Sequence, residues 1–289
     1  MHHFFASLGN HVVFFLLRRV REEVKENIWV IGGGRYSEEE VSRLAKRCFR
    51  NYCHKLLDYM AMHRLNSSNK EKWVEREMGE ENLKEALARG RGVICITPHM
   101  SHWELGGYIL ASKGYPINIL TLREESQYLS RYEERLRRRV GIRTIVYNPE
   151  EKPNLSILGM ARRLRENEIL AMVSDRTFGS QGIEIDFFGR KTLFPSGAVY
   201  LSLETGAALI PVFVVLERKM KYWGIVGEPI SLKRDGNKEE SLRQGVQEIA
   251  KRFEEMISRY PDQWFNFYAY WGKRLSLIHI SEPTRQAEI

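Results

Sequence analysis

Short apolar runs alternate with longer amphipathic segments from residue 90 onward. Runs rich in β-branched residues are typical of buried strands, and the amphipathic segments follow the 3.6-residue period of helices. We predict strands at 92–97, 117–121, 144–147, 169–174, 183–188, 209–216 and 222–227. We predict helices at 100–113, 125–139, 154–166, 196–206 and 238–259. This alternation predicts an α/β fold whose sheet is covered by helices on both faces.

Residues 10–89 have a helical pattern that is interrupted by three glycines at 32–34. After the interruption, Ser37 and Glu40 have the spacing of a capping box, which marks the start of a helix. That helix has an apolar stripe, which we expect to be buried. The stripe consists of Val41, Leu44, Ala45, Cys48, Tyr52, Leu56 and Tyr59. We therefore expect a helical N-terminal subdomain over residues 1–89 and an α/β core over residues 90–274.

Both ends of the chain have features of their own. The segment 4–17 is apolar and aromatic but too short to span a bilayer, and Arg18, Arg19 and Arg21 follow it. This pattern predicts either an amphipathic core helix or a contact with anionic lipid headgroups. A membrane-spanning segment further upstream is an open alternative. Residues 275–289 resemble translated adapter sequence, so we predict a non-native tail there and leave it out of the fold.

The main candidate for a catalytic group follows the strand at 92–97. Pro98 ends the strand, and His99 comes next, just ahead of a helix. Ligands of open α/β sheets bind outside the carboxyl ends of the strands. Glu104 follows five residues later, close enough to hold one imidazole nitrogen while the other faces a substrate. Such a pair can act as a general base, although a histidine near an acid is more often a surface or capping residue.

Several ordered motifs accompany this histidine. They are His99-x-x-x-x-Glu104, Asp175-Arg176, the segment 182–189, Phe194-Pro-Ser-Gly197 and the segment 203–212. This order resembles the bacterial lipid A biosynthesis acyltransferases, which with their mannoside-acylating relatives belong to the wider glycerolipid acyltransferase superfamily. The resemblance covers about residues 15 to 272. It implies the glycerolipid-acyltransferase type of sheet, flanked by helices.

The resemblance also implies an activity. It indicates a membrane-associated O-acyltransferase that moves a fatty acyl group from acyl carrier protein or acyl-CoA to a hydroxyl of a glycolipid, such as a lipid A precursor. The acceptor is expected to be anionic, and the enzyme to lie at the cytoplasmic face of the cell inner membrane. No metal and no cofactor are expected apart from the thioester co-substrate.

The resemblance assigns the general base to His99 and the orienting acid to Glu104. A neutral imidazole can take the proton of the acceptor hydroxyl, and a carboxylate behind it fixes the tautomer. His102 is not at the matching position, and we interpret it as structural or substrate-facing. Asp175 ends an apolar run at the edge of the predicted sheet and is our candidate for a second catalytic carboxylate. The alternative for Asp175 is a loop acid that is paired with Arg176.

Polar and basic residues form the candidate substrate-binding set, which also includes Arg176. Ser196 and Gly197 stand at the start of a helix, where backbone N–H groups bind anions, and the superfamily associates this loop with the polar head of the acceptor. Many superfamily members have Glu where this chain has Ser196, and an ordinary N-cap is the alternative. Arg123 and Arg131 align with family arginines near the substrate headgroup. The alternative for each of these two residues is a solvated surface arginine.

The chain has 289 residues and a formal net charge of +8, which suits nucleic acid, anionic lipid or an acidic protein. We find no nucleic-acid-binding motif, so nucleic acid is the weakest of these partners. The basic run at 135–139 predicts either a docking patch for a carrier protein or lipid, or a solvated helix face. The three cysteines have no disulfide or metal spacing, and we expect reduced thiols.

Two other functions stay open. One is a metal-dependent hydrolase with His99, His102, Glu104 and Asp175 as ligands, which is weaker because their spacing matches no common helical metal motif. The other is a non-catalytic lipid-binding protein. The intact pair of His99 and Glu104 is evidence against it.

Overall fold

The computed structural model describes residues 17–65, 69–122, 127–147, 154–177, 182–217, 221–233 and 237–272. The α-helices are α1 (Arg18–Gly32), α2 (Glu38–Ala61), α3 (Glu80–Ala88), α4 (Trp103–Ser112), α5 (Gln127–Arg139), α6 (Asn154–Arg165), α7 (Gly197–Thr205) and α8 (Lys238–Arg259). The strands are β1 (Val74–Met78), β2 (Val93–Thr97), β3 (Ile117–Leu122), β4 (Arg143–Tyr147), β5 (Ile169–Val173), β6 (Ile183–Phe187), β7 (Arg190–Phe194), β8 (Ala208–Leu216) and β9 (Tyr222–Val226).

Seven strands form one mostly parallel sheet in the order β1-β9-β8-β2-β5-β3-β4. The pairs β8–β2, β2–β5, β5–β3 and β3–β4 are parallel, whereas β9 runs antiparallel to β8. Strands β6 and β7 form a separate antiparallel hairpin. The predicted α/β class is therefore confirmed.

Strand β2 lies in the middle of the sheet and is buried on both sides. Ile94 and Ile96 face a core that is built with α6, α7 and α8. Val93 and Cys95 face the opposite core, which is built with α3, α4 and α5. This alternation follows from the two-residue period of a strand, and it places helices on both faces as predicted.

The pairing of β2 with β5 determines which loops meet at the edge of the sheet. Thr97 lies opposite Val173 in the parallel register. The chain leaves both strands at the same edge, and His99 and Asp175 each come two residues later. The topology therefore brings together two side chains that are 76 residues apart in sequence.

The N-terminal helices confirm most of the predicted pattern. Gly33 ends α1 in the left-handed conformation, with φ 57°. At the start of α2, the Ser37 side chain accepts from the Glu40 N–H, and the Glu40 carboxylate accepts from the Ser37 N–H. Of the predicted stripe, Val41, Ala45, Cys48 and Tyr59 are buried, whereas Leu56 is 40% exposed.

The prediction of helix throughout residues 10–89 is wrong at 74–78. These residues form β1, which pairs in parallel with β9 at the edge of the main sheet. Charged side chains are common on edge strands because they discourage pairing with other chains, and β1 carries Glu75, Arg76 and Glu77. The sequence analysis also did not predict β7. The division of the chain at residue 89 stays a prediction.

No helix within the described ranges is long and apolar enough to cross a membrane. Residues 4–16 and the tail at 275–289 lie outside those ranges. The predictions for both segments therefore stay predictions.

Two nearby glycines allow a test of the turn that leads into β2. Gly90 and Gly92 have φ angles of 71° and 70°, which cost other residues about 1–2 kcal/mol. A Cβ at Gly92 would lie 2.5 Å from the backbone oxygen of Leu164, whereas a Cβ at Gly90 would meet nothing within 4 Å. We expect Gly92→Ala to lower the free energy of unfolding by about 1–3 kcal/mol more than Gly90→Ala, as measured by denaturant titration. Equal losses in the two variants would contradict this tight packing against α6.

Candidate active site

The loop between β2 and α4 holds His99 in a tight turn. The Met100 N–H donates to the carbonyl of Pro98 at 2.6 Å, which closes a turn centred on His99. Ser101 follows with φ 48°, a conformation that persists in a non-glycine residue only where neighbouring structure enforces it. The enforcing neighbours belong to the segment 260–272, which we call the C-terminal segment. Its Gln263 carbonyl accepts from the Ser101 N–H at 2.7 Å.

The His99 imidazole is bonded to the carboxylate of Asp175. Its Nδ1 lies 2.5 Å from one carboxylate oxygen. The other oxygen accepts from the His99 backbone N–H at 3.0 Å and from the Trp264 indole N–H at 2.8 Å. Tyr270 donates its hydroxyl to the Asp175 carbonyl at 2.5 Å. Three donors thus fix the orientation of the Asp175 carboxylate.

The electrostatics of this pair define the tautomer of His99. Burial raises the pKa of Asp175, but its interactions with His99, Arg176 and Trp264 outweigh this effect and lower the pKa to about 2. At neutral pH the carboxylate is therefore ionised and can only accept, so Nδ1 of His99 carries the proton. The lone pair of a neutral imidazole then lies on Nε2, and the His99 side chain is 24% exposed. This nitrogen can take a proton from a bound hydroxyl.

The expectation that Glu104 holds His99 needs correction. Glu104 lies in the first turn of α4, and its carboxylate pairs with the Lys55 ammonium of α2 at 3.1 Å. Burial raises the pKa of Glu104, but Lys55 and His102 lower it to about 2. A buried carboxylate needs a nearby positive charge, and Lys55 supplies one. Asp175, the predicted second carboxylate, takes the position beside His99 instead.

His102 is fully buried at the end of the loop between β2 and α4. Its ring lies between those of Tyr59 and Tyr222, at centroid distances of 6.1 and 5.6 Å. Its Nδ1 is 3.7 Å from the carboxylate of Glu104. These contacts support the structural interpretation of His102 rather than a contact with substrate.

Trp103 contacts both the His99–Asp175 pair and the Lys55–Glu104 pair. Its ring meets the His99 ring edge-to-face at 5.2 Å, and the Lys55 ammonium lies 4.0 Å from its centroid.

The sequence pattern did not point to Lys55, Trp264 or Tyr270. Lys55 lies seven residues after Cys48 on the apolar stripe of α2, and a lysine at such a position is a usable signal of a buried charge.

Arg176 binds protein groups in this structure. Its guanidinium donates to the Asn266 side chain at 2.8 Å and to the Phe265 carbonyl at 2.5 Å. It also lies over the ring of Tyr268. These bonds hold the C-terminal segment against the end of β5, so Arg176 has a structural role whether or not it also contacts substrate.

Ser196 and Gly197 lie where α7 begins. Ser196 is the N-cap residue, and its side chain does not cap the helix. A Cβ at Gly197 would lie 4.0 Å from Met172 of β5, so this helix start is close to the carboxyl end of that strand. The two residues are therefore at the same edge of the sheet as Asp175.

Of the two remaining predicted arginines, Arg131 lies on α5. Arg131 is exposed on this helix, and Arg123 lies outside the described residues. Within the basic run at 135–139, Arg137 and Arg138 pair with Glu133 and Glu134 one turn earlier. The Arg138 pair is exposed, as on a solvated helix face, whereas Arg137 is buried beside Glu133.

In the part of the chain that the structure describes, no three His, Cys, Asp or Glu side chains are placed to hold a metal ion. His99 and Asp175 bond each other, and Glu104 bonds Lys55. The donor set that the hydrolase alternative requires is therefore not assembled among these residues.

The chain is similar to known proteins over more than two thirds of its length. The chain is 30% identical over 196 residues to a phosphatidylinositol mannoside acyltransferase of Mycolicibacterium smegmatis, a match that covers 68% of this chain and 62% of that relative. It is 26% identical over 235 residues to a lipid A biosynthesis palmitoleoyltransferase of Escherichia coli, covering 79% of this chain and 71% of the relative. The match thus spans less than two thirds of the mannoside acyltransferase. The profile of one family matches residues 1–273, and the chain belongs to the bacterial lipid A biosynthesis acyltransferases.

Proposed function

We propose that the protein transfers a fatty acyl group from a thioester, carried by acyl carrier protein or CoA, to a hydroxyl of a glycolipid. His99 is the general base, and Asp175 is the acid that orients it. The observation that carries this proposal is the bond between the His99 imidazole and a buried carboxylate, at the edge of the sheet where ligands of such folds bind.

The chemistry uses the Nε2 lone pair of His99. The acceptor hydroxyl gives its proton to Nε2 while its oxygen attacks the thioester carbonyl. The resulting tetrahedral intermediate expels the thiolate, which takes the proton back from the imidazolium. The products are an ester and a free thiol, and His99 returns to its neutral form. The ionised Asp175 stabilises the imidazolium between the two proton transfers.

The acceptor is proposed to be an anionic glycolipid. Relatives are named for phosphatidylinositol mannoside and for lipid A, and both names describe glycolipids. The start of α7 at Ser196 and Gly197 offers backbone N–H groups to a phosphate or polar head at the edge that carries Asp175. Arg123 and Arg131 are further candidates for a phosphate contact.

We also propose that the enzyme works at the cytoplasmic face of the inner membrane, because a glycolipid acceptor is held in a bilayer. The described part of the chain begins with exposed Leu17, followed by exposed Arg18 and Arg19 on α1. Apolar and basic residues side by side suit the boundary between acyl chains and anionic headgroups.

The first prediction tests the base and its orienting acid. We expect His99→Ala to abolish acyl transfer, and Asp175→Asn to lower the transfer rate about 10²–10⁴-fold, because an amide neither fixes the tautomer nor stabilises the imidazolium. Transfer from acyl-CoA or acyl carrier protein to phosphatidylinositol mannoside and to a lipid A precursor would be followed by mass spectrometry. Asp262→Asn is the matched control, since Asp262 is also buried but binds Arg47 and Asn51. Near-normal transfer by folded His99→Ala protein would refute the mechanism.

The second prediction concerns Glu104. We expect Glu104→Gln to lower the free energy of unfolding by about 1.5–3 kcal/mol, because it removes the charge that pairs with buried Lys55. We expect it to lower the transfer rate of the folded protein less than Asp175→Asn does. Denaturant unfolding and initial rates measure the two effects. If Glu104→Gln instead lowers the transfer rate as much as Asp175→Asn does and leaves the free energy of unfolding unchanged, Glu104 takes part directly in the reaction.

The third prediction concerns membrane binding. We expect replacement of Arg18 and Arg19 together by Gln to weaken binding to anionic vesicles by about 2 kcal/mol, at about 1 kcal/mol for each charge. This loss is roughly 30-fold in Kd, and it should shrink as salt rises. Co-sedimentation with anionic and with zwitterionic vesicles measures it. As a control, replacement of Lys238 and Lys251 by Gln removes two positive charges from α8. If the control weakens vesicle binding equally, α1 is not the part of the protein that contacts the membrane.

A further inference from the structure

Trp264 is buried beside the loop that carries His99. The backbone on either side of Trp264 is bonded to that loop. The Gln263 carbonyl accepts from the Ser101 N–H at 2.7 Å. The Phe265 N–H donates to the His99 carbonyl at 2.8 Å. Trp264 itself is 3% exposed, so its indole has a fixed place between this loop and the interior of the protein.

The Trp264 indole bonds the carboxylate oxygen of Asp175 that does not bond the imidazole. Oδ1 of Asp175 lies beside the His99 ring, and Oδ2 accepts from the Trp264 Nε1–H at 2.8 Å. The torsion that turns an Asp carboxylate is broad, so it does not by itself decide which oxygen faces His99. The other bond to Oδ2 comes from the backbone of His99. Trp264 comes from a different part of the chain and therefore fixes the carboxylate independently of His99.

Two neighbouring donors differ from Trp264 in what they bond. Tyr270 donates its hydroxyl to the backbone carbonyl of Asp175, which carries no charge. The Trp271 indole donates to the Thr192 hydroxyl at 2.9 Å, although its ring centroid lies only 5.6 Å from that of Trp264. One aromatic cluster thus contains an indole that bonds the catalytic carboxylate and an indole that does not.

The bond from Trp264 also affects protonation. Burial raises the pKa of Asp175, but neighbouring groups, Trp264 among them, lower it to about 2. His99 and Asp175 titrate as a pair, because they bond each other directly. The pair is active with its proton on Nδ1, and a second proton on Nε2 inactivates it. A donor to Oδ2 withdraws negative charge from the partner of the imidazolium, and it therefore disfavours the second proton.

Other charged and titratable groups surround the pair within the described part of the chain. Those near Asp175 come from the loop after β5, from α2 and from the C-terminal segment, and those near His99 form the ion pair beside Trp103. They are Arg176, Tyr52, Tyr268, Tyr270, Lys55 and Glu104. A substitution at Trp264 leaves all of these groups in the protein, so a change in the pH dependence reports the indole bond.

We propose that Trp264 is a positioning residue for acyl transfer. Its indole N–H keeps the Asp175 carboxylate aligned with His99, and it sets the pH below which the imidazole no longer accepts a proton from the acceptor hydroxyl. Trp264 acts through Asp175 and does not itself contact the reacting groups. The inference rests on the proposed function, because it concerns the same general base.

Removal of the indole N–H tests the inference. We expect Trp264→Phe to lower kcat about 10-fold or more, because the carboxylate loses its alignment, and to leave the KM for the thioester unchanged. We expect the acid limb of kcat/KM to move upward by about one pH unit, because the pair takes up its second proton more readily. Initial rates of transfer from acyl-CoA to phosphatidylinositol mannoside and to a lipid A precursor measure both effects.

Trp271→Phe is the matched control. It removes an indole N–H from the same aromatic cluster, but the bonds of the Asp175 carboxylate stay in place. Its kcat and pH profile should be those of the unaltered protein. Replacement of Trp264 alone by benzothienylalanine keeps the shape of the ring system without the N–H, and it serves as the test if melting temperatures show that Trp264→Phe does not fold.

The outcomes separate this inference from the proposed function. If the unaltered protein transfers acyl groups and the folded Trp264 variants keep its pH profile, the inference is overturned and the proposed function stands. A loss of kcat that Trp271→Phe shares equally also overturns the inference alone. If the unaltered protein transfers no acyl group from any thioester, the proposed function and this inference are both overturned.

Discussion

The buried carboxylate of Asp175 is the constraint on which the site depends. A buried charge is costly unless it is fully bonded, and its partners come from two other parts of the chain. His99 supplies a backbone N–H and a ring N–H from the loop after β2, and Trp264 supplies an indole N–H from the C-terminal segment. The hydrogen bonds of the Asp175 carboxylate are therefore complete only when the sheet and the C-terminal segment are both in place.

This requirement extends to the N-terminal helices. The side-chain amide of Asn27 on α1 donates to the carbonyls of Asn266 and Tyr268, and its oxygen accepts from the Tyr270 N–H. Phe265 packs in the apolar cluster that α1 and α2 share. The helices before the sheet thus hold the same segment that holds Asp175. Helix α1 is therefore linked to the Asp175 carboxylate through the C-terminal segment, without a direct contact between them.

How much of this site the sequence could predict differs from residue to residue. His99 and Asp175 each follow an apolar strand, and their positions at the carboxyl edge of the sheet could be predicted from that pattern alone. Their pairing could not, because it requires β2 and β5 to be neighbours, and strand order is not encoded in local periodicity. Glu104 is the nearer acid in sequence, and both its spacing and the resemblance assign it to His99. The structure gives it Lys55, a residue 49 positions earlier.

Other differences have equally specific causes. Strand β1 is five residues long and mostly polar, so its pattern matches neither a buried strand nor a two-faced one. The aromatic run from Trp264 to Trp271 has no period, because its residues pack into two different apolar clusters and do not form a helix or strand of their own. Both cases show tertiary contacts overriding local pattern, which is where sequence periodicity loses its information.

Helix α4 combines two requirements that conflict in an ordinary helix. Its first turn is held by contacts to two other parts of the chain, because Trp103 lies edge-to-face against His99 and Glu104 pairs with Lys55. Its next turn carries Gly106 and Gly107, which weaken a helix but leave space against the sheet. Since the ion pair with α2 fixes the start of α4, the helix tolerates the two glycines that follow.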